Sequence, residues 1–167
     1  ELMAAGTAFG ACLYGTEALA IMRIEKGHVA GGELNGHTTA ADLGLARMMS
    51  SKKDYVGRVL AQRPALRDPA RPTLVGLLPV DSTSQARAGA HLVASGSPAT
   101  LENDEGYITS SAFSPTLGRW IALGLLASGR DRIGEVVKAC DPLRGTEIGV
   151  EVCSPHFYDP AGERLHV

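Results

Sequence analysis

The fold is decided by the stretch YITSSA (107–112), the segment SPTLG (114–118) and the run RWIALGL (119–125). The two outer runs are rich in aliphatic, aromatic and β-branched residues and have the length of ordinary strands. Between them, Pro115 fixes φ and lacks an N–H donor, while Gly118 permits a positive φ. The segment is therefore predicted to be a corner turn between two strands, and its second interpretation is an element of a site.

Four further strand-like runs flank this pair, and turn residues separate all six. The runs are 73–80, 91–93, 135–139 and 147–152, and the turns include Ala88-Gly89, Asp104-Glu105-Gly106 and Ser128-Gly129. Short strands at this spacing are typical of a small antiparallel β-barrel or sandwich. We expect one to occupy the second part of the chain.

The first part of the chain has weaker periodicity. Apolar residues at 18, 19, 21 and 22 predict a short helix after Gly15-Thr16. The following Arg23-Ile24-Glu25 alternates as a half-buried strand would, so Arg23 and Glu25 would share one face, either as an exposed charge pair or lining a ligand cleft. Further on, Asp54 is placed to cap a short helix from Tyr55 to Gln62.

A linker is predicted between Pro64 and Pro72, where three prolines accompany charged residues. We place a domain boundary near residue 67, which divides the chain into 1–66 and 67–167. The chain begins Glu1-Leu2-Met3 without an initiator methionine, which is typical of a fragment of a longer polypeptide.

Composition narrows the function classes. The apolar share of 44% suits a globular core, and a formal net charge of −2 with scattered Lys and Arg argues against a nucleic-acid binder. No apolar run approaches the length of a membrane-spanning helix. The odd set of Cys12, Cys140 and Cys153 shows no CxxC spacing, so we expect a reducing, cytoplasmic location and buried, unpaired thiols.

No complete catalytic motif is present in the sequence, which has no GxSxG, Walker, GxGxxG or HExxH pattern. The Gly-rich segment 28–37 is predicted to be a loop. Within it, His28, His37 and Glu33 allow a metal site as the weaker interpretation, because no ligand pair has helical or hairpin spacing. We predict neither catalytic nor metal-binding residues in this chain.

Four segments carry a resemblance to a known family. Residues 14–27 resemble the Gly-x-Arg-Ala-x-x-x-Leu-Arg-Leu-Glu-x-Gly segment of the glycine-cleavage T-protein and related folate-binding modules, and 53–58 (KDYVGR) is similar to its Lys-Asp-Phe-Ile-Gly-Arg. Residues 106–118 resemble its Gly-x-Val-Thr-Ser-Gly-x-x-Ser-Pro-x-Leu-Gly signature, and 155–159 its closing Pro-Phe-Tyr-Asp. Within the family, MRIEKGH (22–28) and DPAGER (159–164) are most similar to sarcosine oxidase alpha chains.

The resemblance implies an α+β fold: 1–66 as the C-terminal remnant of the α+β folate-binding domain, and 67–167 as the T-protein C-terminal β-barrel. It implies a module that helps convert sarcosine to glycine with transfer of the one-carbon unit to tetrahydrofolate, giving 5,10-methylenetetrahydrofolate. The fragment itself would not be catalytic. FAD, FMN and NAD would be bound elsewhere in a hetero-oligomer with other sarcosine oxidase subunits.

The resemblance also suggests folate-binding residues, namely Tyr14, Glu17, Glu25 and Arg164. Glu17 stands where the family usually has an arginine, and its carboxylate could accept pterin N–H groups. Arg164 could pair with the glutamate carboxylates of folate. Two alternatives remain: a noncatalytic subunit-docking domain, and a fragment of an aminomethyltransferase or dimethylglycine dehydrogenase. If an upstream half covers residues 1–66, exposed apolar patches are expected there.

Overall fold

Six antiparallel strands close into a barrel in the computed structural model, which describes residues 1–165. The strands are β1 (Pro72–Pro79), β2 (His91–Ala94), β3 (Asp104–Ser114), β4 (Arg119–Ala127), β5 (Val136–Asp141) and β6 (Thr146–Cys153). Their order around the barrel is β1-β4-β3-β2-β5-β6, and β6 pairs back onto β1. All six predicted runs are strands, and the barrel rather than the sandwich is confirmed.

The β3–β4 hairpin confirms the predicted corner turn. Ser114 pairs with Arg119, and the Gly118 N–H donates to the Ser114 carbonyl at 2.8 Å with Gly118 at φ +65°. The turn predicted at 104–106 is wrong, since these residues begin β3. Gly106 is needed there for a close approach, because an added Cβ would meet the Leu125 carbonyl oxygen of β4.

The barrel has two apolar layers, one inside and one on the outer face of β1 and β4. The interior is filled by side chains from all six strands and the β1–β2 connection: Val75, Leu77, Ala86, Ala90, Leu92, Ile108, Ala122, Leu126, Val137, Ala139, Val150 and Val152. On the outer face, Leu123 and its neighbours pack against Ile24 and Leu43 from the first part of the chain. Burial on both faces explains the continuous apolar run of β4.

The segment before the barrel contains helices and turns. The α-helices are α1 (Leu2–Gly6), α2 (Thr16–Lys26) and α3 (Arg58–Ala61), with short 3₁₀ helices at Thr7–Phe9, Ala46–Met48 and Pro64–Leu66. Residues 1–71, all of them described, include no strand. The assignment of 1–66 to a remnant of an α+β domain therefore stays a prediction. No helix in the described part of the chain is long and apolar enough to span a membrane.

The strand predicted at Arg23-Ile24-Glu25 is wrong, because α2 continues to Lys26. The helix ends at Gly27, whose φ of +72° is left-handed and whose N–H donates to the Ile24 carbonyl at 3.0 Å. Ile24 is buried and continues the helix face on which Ala18 and Ile21 are half-buried. Three alternating residues are too few to distinguish a strand from a helix end. Arg23 and Glu25 are roughly 200° apart on the helix, so their predicted shared face is also wrong.

The helix predicted from Tyr55 to Gln62 is shorter than expected. Gly57 precedes α3 in a left-handed conformation, and no side chain caps the helix. Asp54 instead accepts the Tyr55 N–H at 3.2 Å and lies 3.7 Å from the Arg58 guanidinium. The predicted capping role of Asp54 is wrong, because Gly57 interrupts the helical backbone.

Polar links hold residues 39–45 to the barrel. Arg71 donates to the Asp42 carboxylate at 2.7 Å, and the Leu74 N–H of β1 donates to the Asp42 carbonyl at 2.9 Å. The Arg130 guanidinium donates to the same carbonyl at 3.0 Å. One acidic residue thus connects the loop, the start of β1 and the turn after β4.

Candidate functional site

Glu33 is the centre of a buried polar network between the first part of the chain and β3. Its side chain is fully buried, and its carboxylate accepts hydrogen bonds from Arg23 Nη1 (3.0 Å), the Ala30 N–H (2.8 Å), Thr109 Oγ1 (2.6 Å) and Ser110 Oγ (2.7 Å). Burial alone would raise the pKa of Glu33, but these hydrogen bonds and the Arg23 charge outweigh it and lower the pKa. The carboxylate is therefore ionised and fully satisfied at neutral pH.

The absence of a side chain at Gly32 lets the loop that carries Glu33 lie close to β3. An added Cβ at Gly32 would lie 3.1 Å from the Thr109 carbonyl oxygen, so a side chain there would crowd the strand. The loop predicted at 28–37 is confirmed. Arg23 completes the network, since its Nη2 lies 2.5 Å from Ser110 Oγ. The network joins α2, the loop and β3 through groups that are widely separated in sequence.

Glu25 forms a second buried link at the end of β3. Its carboxylate accepts the Ser114 hydroxyl at 2.5 Å, and Ser114 Oγ accepts the Leu117 N–H of the corner turn at 3.0 Å. The backbone carbonyl of Glu25 also accepts the N–H groups of Phe157 (3.0 Å) and Tyr158 (2.9 Å). Glu25 therefore ties α2 to the corner turn and to the segment after β6.

The segment after β6, residues 154–165, lies against the end of α2. Lys26 Nζ donates to the Asp159 carboxylate at 2.9 Å, and this bond from Lys26 is the main reason that the pKa of Asp159 is lowered. His156 Nδ1 lies 3.0 Å from the Lys26 carbonyl oxygen. The guanidinium carbon of Arg164 is 5.3 Å from the centroid of the Tyr158 ring, a cation–π distance.

The four residues suggested for folate binding occupy three places. Tyr14 lies two residues before α2 and Glu17 in its first turn, and both are exposed. Glu25 is buried about 12 Å further along the helix axis and is engaged by Ser114. Arg164 is exposed in the segment after β6, which contacts the end of α2 near Glu25. Tyr14, Glu17 and Arg164 are thus accessible to a ligand, whereas Glu25 supports the structure around them.

The metal interpretation of His28, His37 and Glu33 does not fit this geometry. The Glu33 carboxylate is enclosed and engaged by four donors. Among residues 1–165 no group of three metal-ligating side chains comes together. Sequence reasoning treated Glu33 only as a metal ligand and did not foresee its contact with β3. The one available signal was a lone carboxylate in a Gly-rich segment, ten residues after Arg23.

Comparison with known proteins identifies the family. Residues 73–159 match the family model described as the glycine cleavage T-protein C-terminal barrel domain. The chain belongs to the glycine cleavage T-protein family. A solved T-protein, the glycine cleavage system aminomethyltransferase T from Bartonella henselae, superposes with a TM-score of 0.69 at 26% identity, over 86% of this chain and 38% of that one.

Curated relatives within the T-protein family point to one branch. The chain is 49% identical over 99% of its length to the sarcosine oxidase subunit alpha of Rhizobium meliloti and covers 17% of that protein. It is 40% identical over 98% of its length to the subunit of Corynebacterium sp. strain P-1, again covering 17%. An aminomethyltransferase of Streptomyces coelicolor is 34% identical over 94% of the chain, which covers 41% of that protein. The resemblance to sarcosine oxidase alpha subunits is confirmed, and the chain spans about a sixth of their length.

Proposed function

We propose that this chain is the folate-side module of a sarcosine oxidase alpha subunit. The module would help convert sarcosine to glycine with transfer of the one-carbon unit to tetrahydrofolate. The observation that carries the proposal is the 49% identity with an alpha subunit, which extends over 99% of the chain and so includes the residues before the barrel. The redox chemistry, with FAD, FMN and NAD, would belong to other domains or subunits of a hetero-oligomer.

The accessible residues fit a folate on chemical grounds. The Glu17 carboxylate is exposed in the first turn of α2 and can accept hydrogen bonds from the amino and ring N–H groups of a pterin. The Tyr14 ring, 66% exposed, offers an aromatic surface three residues earlier in the chain. Arg164 presents a planar cation suited to the glutamate carboxylates of folate. Tetrahydrofolate would supply the nitrogen atoms that accept the one-carbon unit.

Glu25 has a different role in this proposal. Because its carboxylate is buried on Ser114 and its carbonyl accepts two N–H groups after β6, it would position α2 relative to the segment that carries Arg164. It would not contact folate. Loss of Glu25 would weaken folate binding only indirectly, by changing the distance between Glu17 on α2 and Arg164 after β6.

Tetrahydrofolate binding by calorimetry tests the proposal, on this chain and on a full-length alpha subunit that carries it. We expect Glu17→Gln and Arg164→Gln each to weaken binding by the full-length subunit about tenfold, since each removes one charged hydrogen-bonding partner. Glu25→Ala should weaken binding as well. Glu102→Gln, an exposed change on the barrel, is the matched control and should leave the affinity unchanged.

A second candidate is a noncatalytic docking domain for partner subunits. The observation that favours it is the set of exposed large apolar residues before the barrel, such as Phe9, Leu13, Leu19 and Met22. Such side chains are typical of a protein interface. No tetrahydrofolate binding by the full-length subunit would reject the folate proposal in favour of this candidate.

A further inference from the structure

A large cleft lies on the barrel side of the α2 end, away from Tyr14 and Glu17. It has a volume of about 830 Å³. Its walls come from the loop after α2, residues 43–45, β1, the turn after β4 and the segment after β6. Gly27 at one wall is ten residues from Glu17, about 15 Å along the helix axis. The cleft is therefore separate from Tyr14 and Glu17.

The floor of the cleft is apolar. Leu43 and Leu74 are buried there, Val29 and Leu45 are half-buried, and Ile133 is 54% exposed at the edge. Apolar side chains of this kind favour the aliphatic part of a ligand. The volume lies in the range of roughly 300–1,000 Å³ that small-molecule sites occupy.

The cleft has one charged side chain among its lining residues, the guanidinium of Arg130. The imidazoles of His28 and His156 also line it, and no Asp or Glu side chain does. One guanidinium nitrogen of Arg130 is held by the carbonyls of Ala41 and Asp42, so the cation is fixed in place beside the floor. A cation above an apolar floor favours an anionic head group on an apolar body.

Backbone hydrogen bonds fix several of the residues that form the walls of the cleft. The His28 N–H donates to the Arg23 carbonyl at 2.8 Å, and the Leu45 N–H to the Ala40 carbonyl at 2.8 Å. The Leu74 N–H donates to the Asp42 carbonyl at 2.9 Å. A preformed cleft of this kind loses little conformational freedom when a ligand binds.

We propose that this cleft binds an organic carboxylate with an aliphatic body, with the carboxylate at Arg130 and the chain on the floor formed by Leu43 and Leu74. The inference does not rest on the proposed folate function. The same site should discriminate against ligands that lack either the charge or the apolar body.

Equilibrium dialysis with octanoate tests the inference, on the longest purified form that contains this sequence. A ligand of this size should bind with a Kd on the order of 1 mM. Octanol and acetate, which lack the charge and the chain respectively, should each bind at least tenfold more weakly. Ile133→Asp, which places a carboxylate at the exposed edge, should also weaken octanoate binding at least tenfold.

Two controls keep the result specific. Arg144→Gln alters an exposed arginine on the β5–β6 turn and should leave octanoate binding unchanged, and Ile133→Asp should leave tetrahydrofolate binding unchanged. Equal octanoate binding by the wild-type and Ile133→Asp proteins would overturn the inference. So would octanol binding as tightly as octanoate, because the cation would then contribute nothing.

Discussion

The barrel and the segment before it differ in how many apolar side chains they bury. Among the described residues, only Ile24 and Leu43 are buried apolar residues that precede residue 72, whereas every strand of the barrel contributes to its interior. The segment is also joined to the barrel by polar links from Glu33 to β3, from Glu25 to Ser114, and from the Asp42 carbonyl to β1. The closed barrel contains its own apolar core, whereas the segment depends for its stability on contacts with the barrel.

The largest effect should come from the barrel interior. Leu77 is fully buried, so Leu77→Ala should lower the free energy of unfolding by about 3 kcal/mol through lost burial and a residual cavity. Leu60→Ala, on an exposed side chain before the barrel, should change it by less than about 0.5 kcal/mol. Denaturant unfolding followed by the fluorescence of Trp120, in β4, measures both. Equal effects would contradict the contrast between the two regions.

This contrast also explains what the sequence could predict. The barrel was predictable because its strands carry their signal locally, in apolar runs bounded by turn residues, and the corner turn could be assigned from Pro115 and Gly118. The end of α2 was not predictable from local sequence. The helix continues through Ile24 because this side chain packs in the apolar layer on the outer face of β1 and β4. Asp104–Gly106 was misassigned because polar and glycine residues can also begin a strand where the backbone of β4 approaches closely.

The site was predictable only in part. Tyr14, Glu17, Glu25 and Arg164 came from a family resemblance, and no spacing in the sequence shows that α2 and the segment after β6 meet. Glu33 meets Ser110 across 77 positions of sequence. A contact of that range depends on how the loop crosses the barrel, which local patterns do not encode.

The second effect, intermediate in size, should appear at acid pH. Because the pKa of Glu33 in the folded chain is below its ordinary value of 4.5, its stabilising contribution is complete above that value and declines as pH falls through the folded pKa. At neutral pH, Glu33→Gln should lower the free energy needed to detach α2 from β3 by about 2 kcal/mol. Hydrogen exchange should show α2 progressively losing protection as the pH falls below 4.5, while β4 keeps its protection.

The Glu33→Gln variant separates the contribution of Glu33 from those of other acids that hold this segment, Asp42 and Asp159. Burial would raise the pKa of Asp42, but the hydrogen bonds from Arg71 and Thr39 together with the Arg71 charge outweigh it, so this pKa is lowered as well. The pH dependence of α2 protection should therefore be reduced, but not abolished, in Glu33→Gln. An unchanged pH profile in the variant would mean that Glu33 does not hold α2 to β3.

The smallest effect on stability should come from the exposed face of α2. Leu19 and Met22 are 52% and 46% exposed, so Leu19→Lys with Met22→Lys should change the free energy of unfolding by less than about 0.5 kcal/mol per site. The double variant should nevertheless lose much of the fluorescence of a bound neutral dye such as Nile red, because Leu19 and Met22 are one helical turn apart and form an apolar patch on the surface of α2.

The matched change on the barrel is Val80→Lys with Leu143→Lys, where the side chains are 65% and 91% exposed but lie at separate turns. Exposure alone would predict a larger loss of dye binding from this pair than from the α2 pair. A contiguous patch predicts the reverse, since a dye needs several neighbouring apolar side chains. If the barrel pair lowers the fluorescence as much as the α2 pair, the apolar residues before the barrel are scattered surface positions, and the docking interpretation of that segment loses its main support.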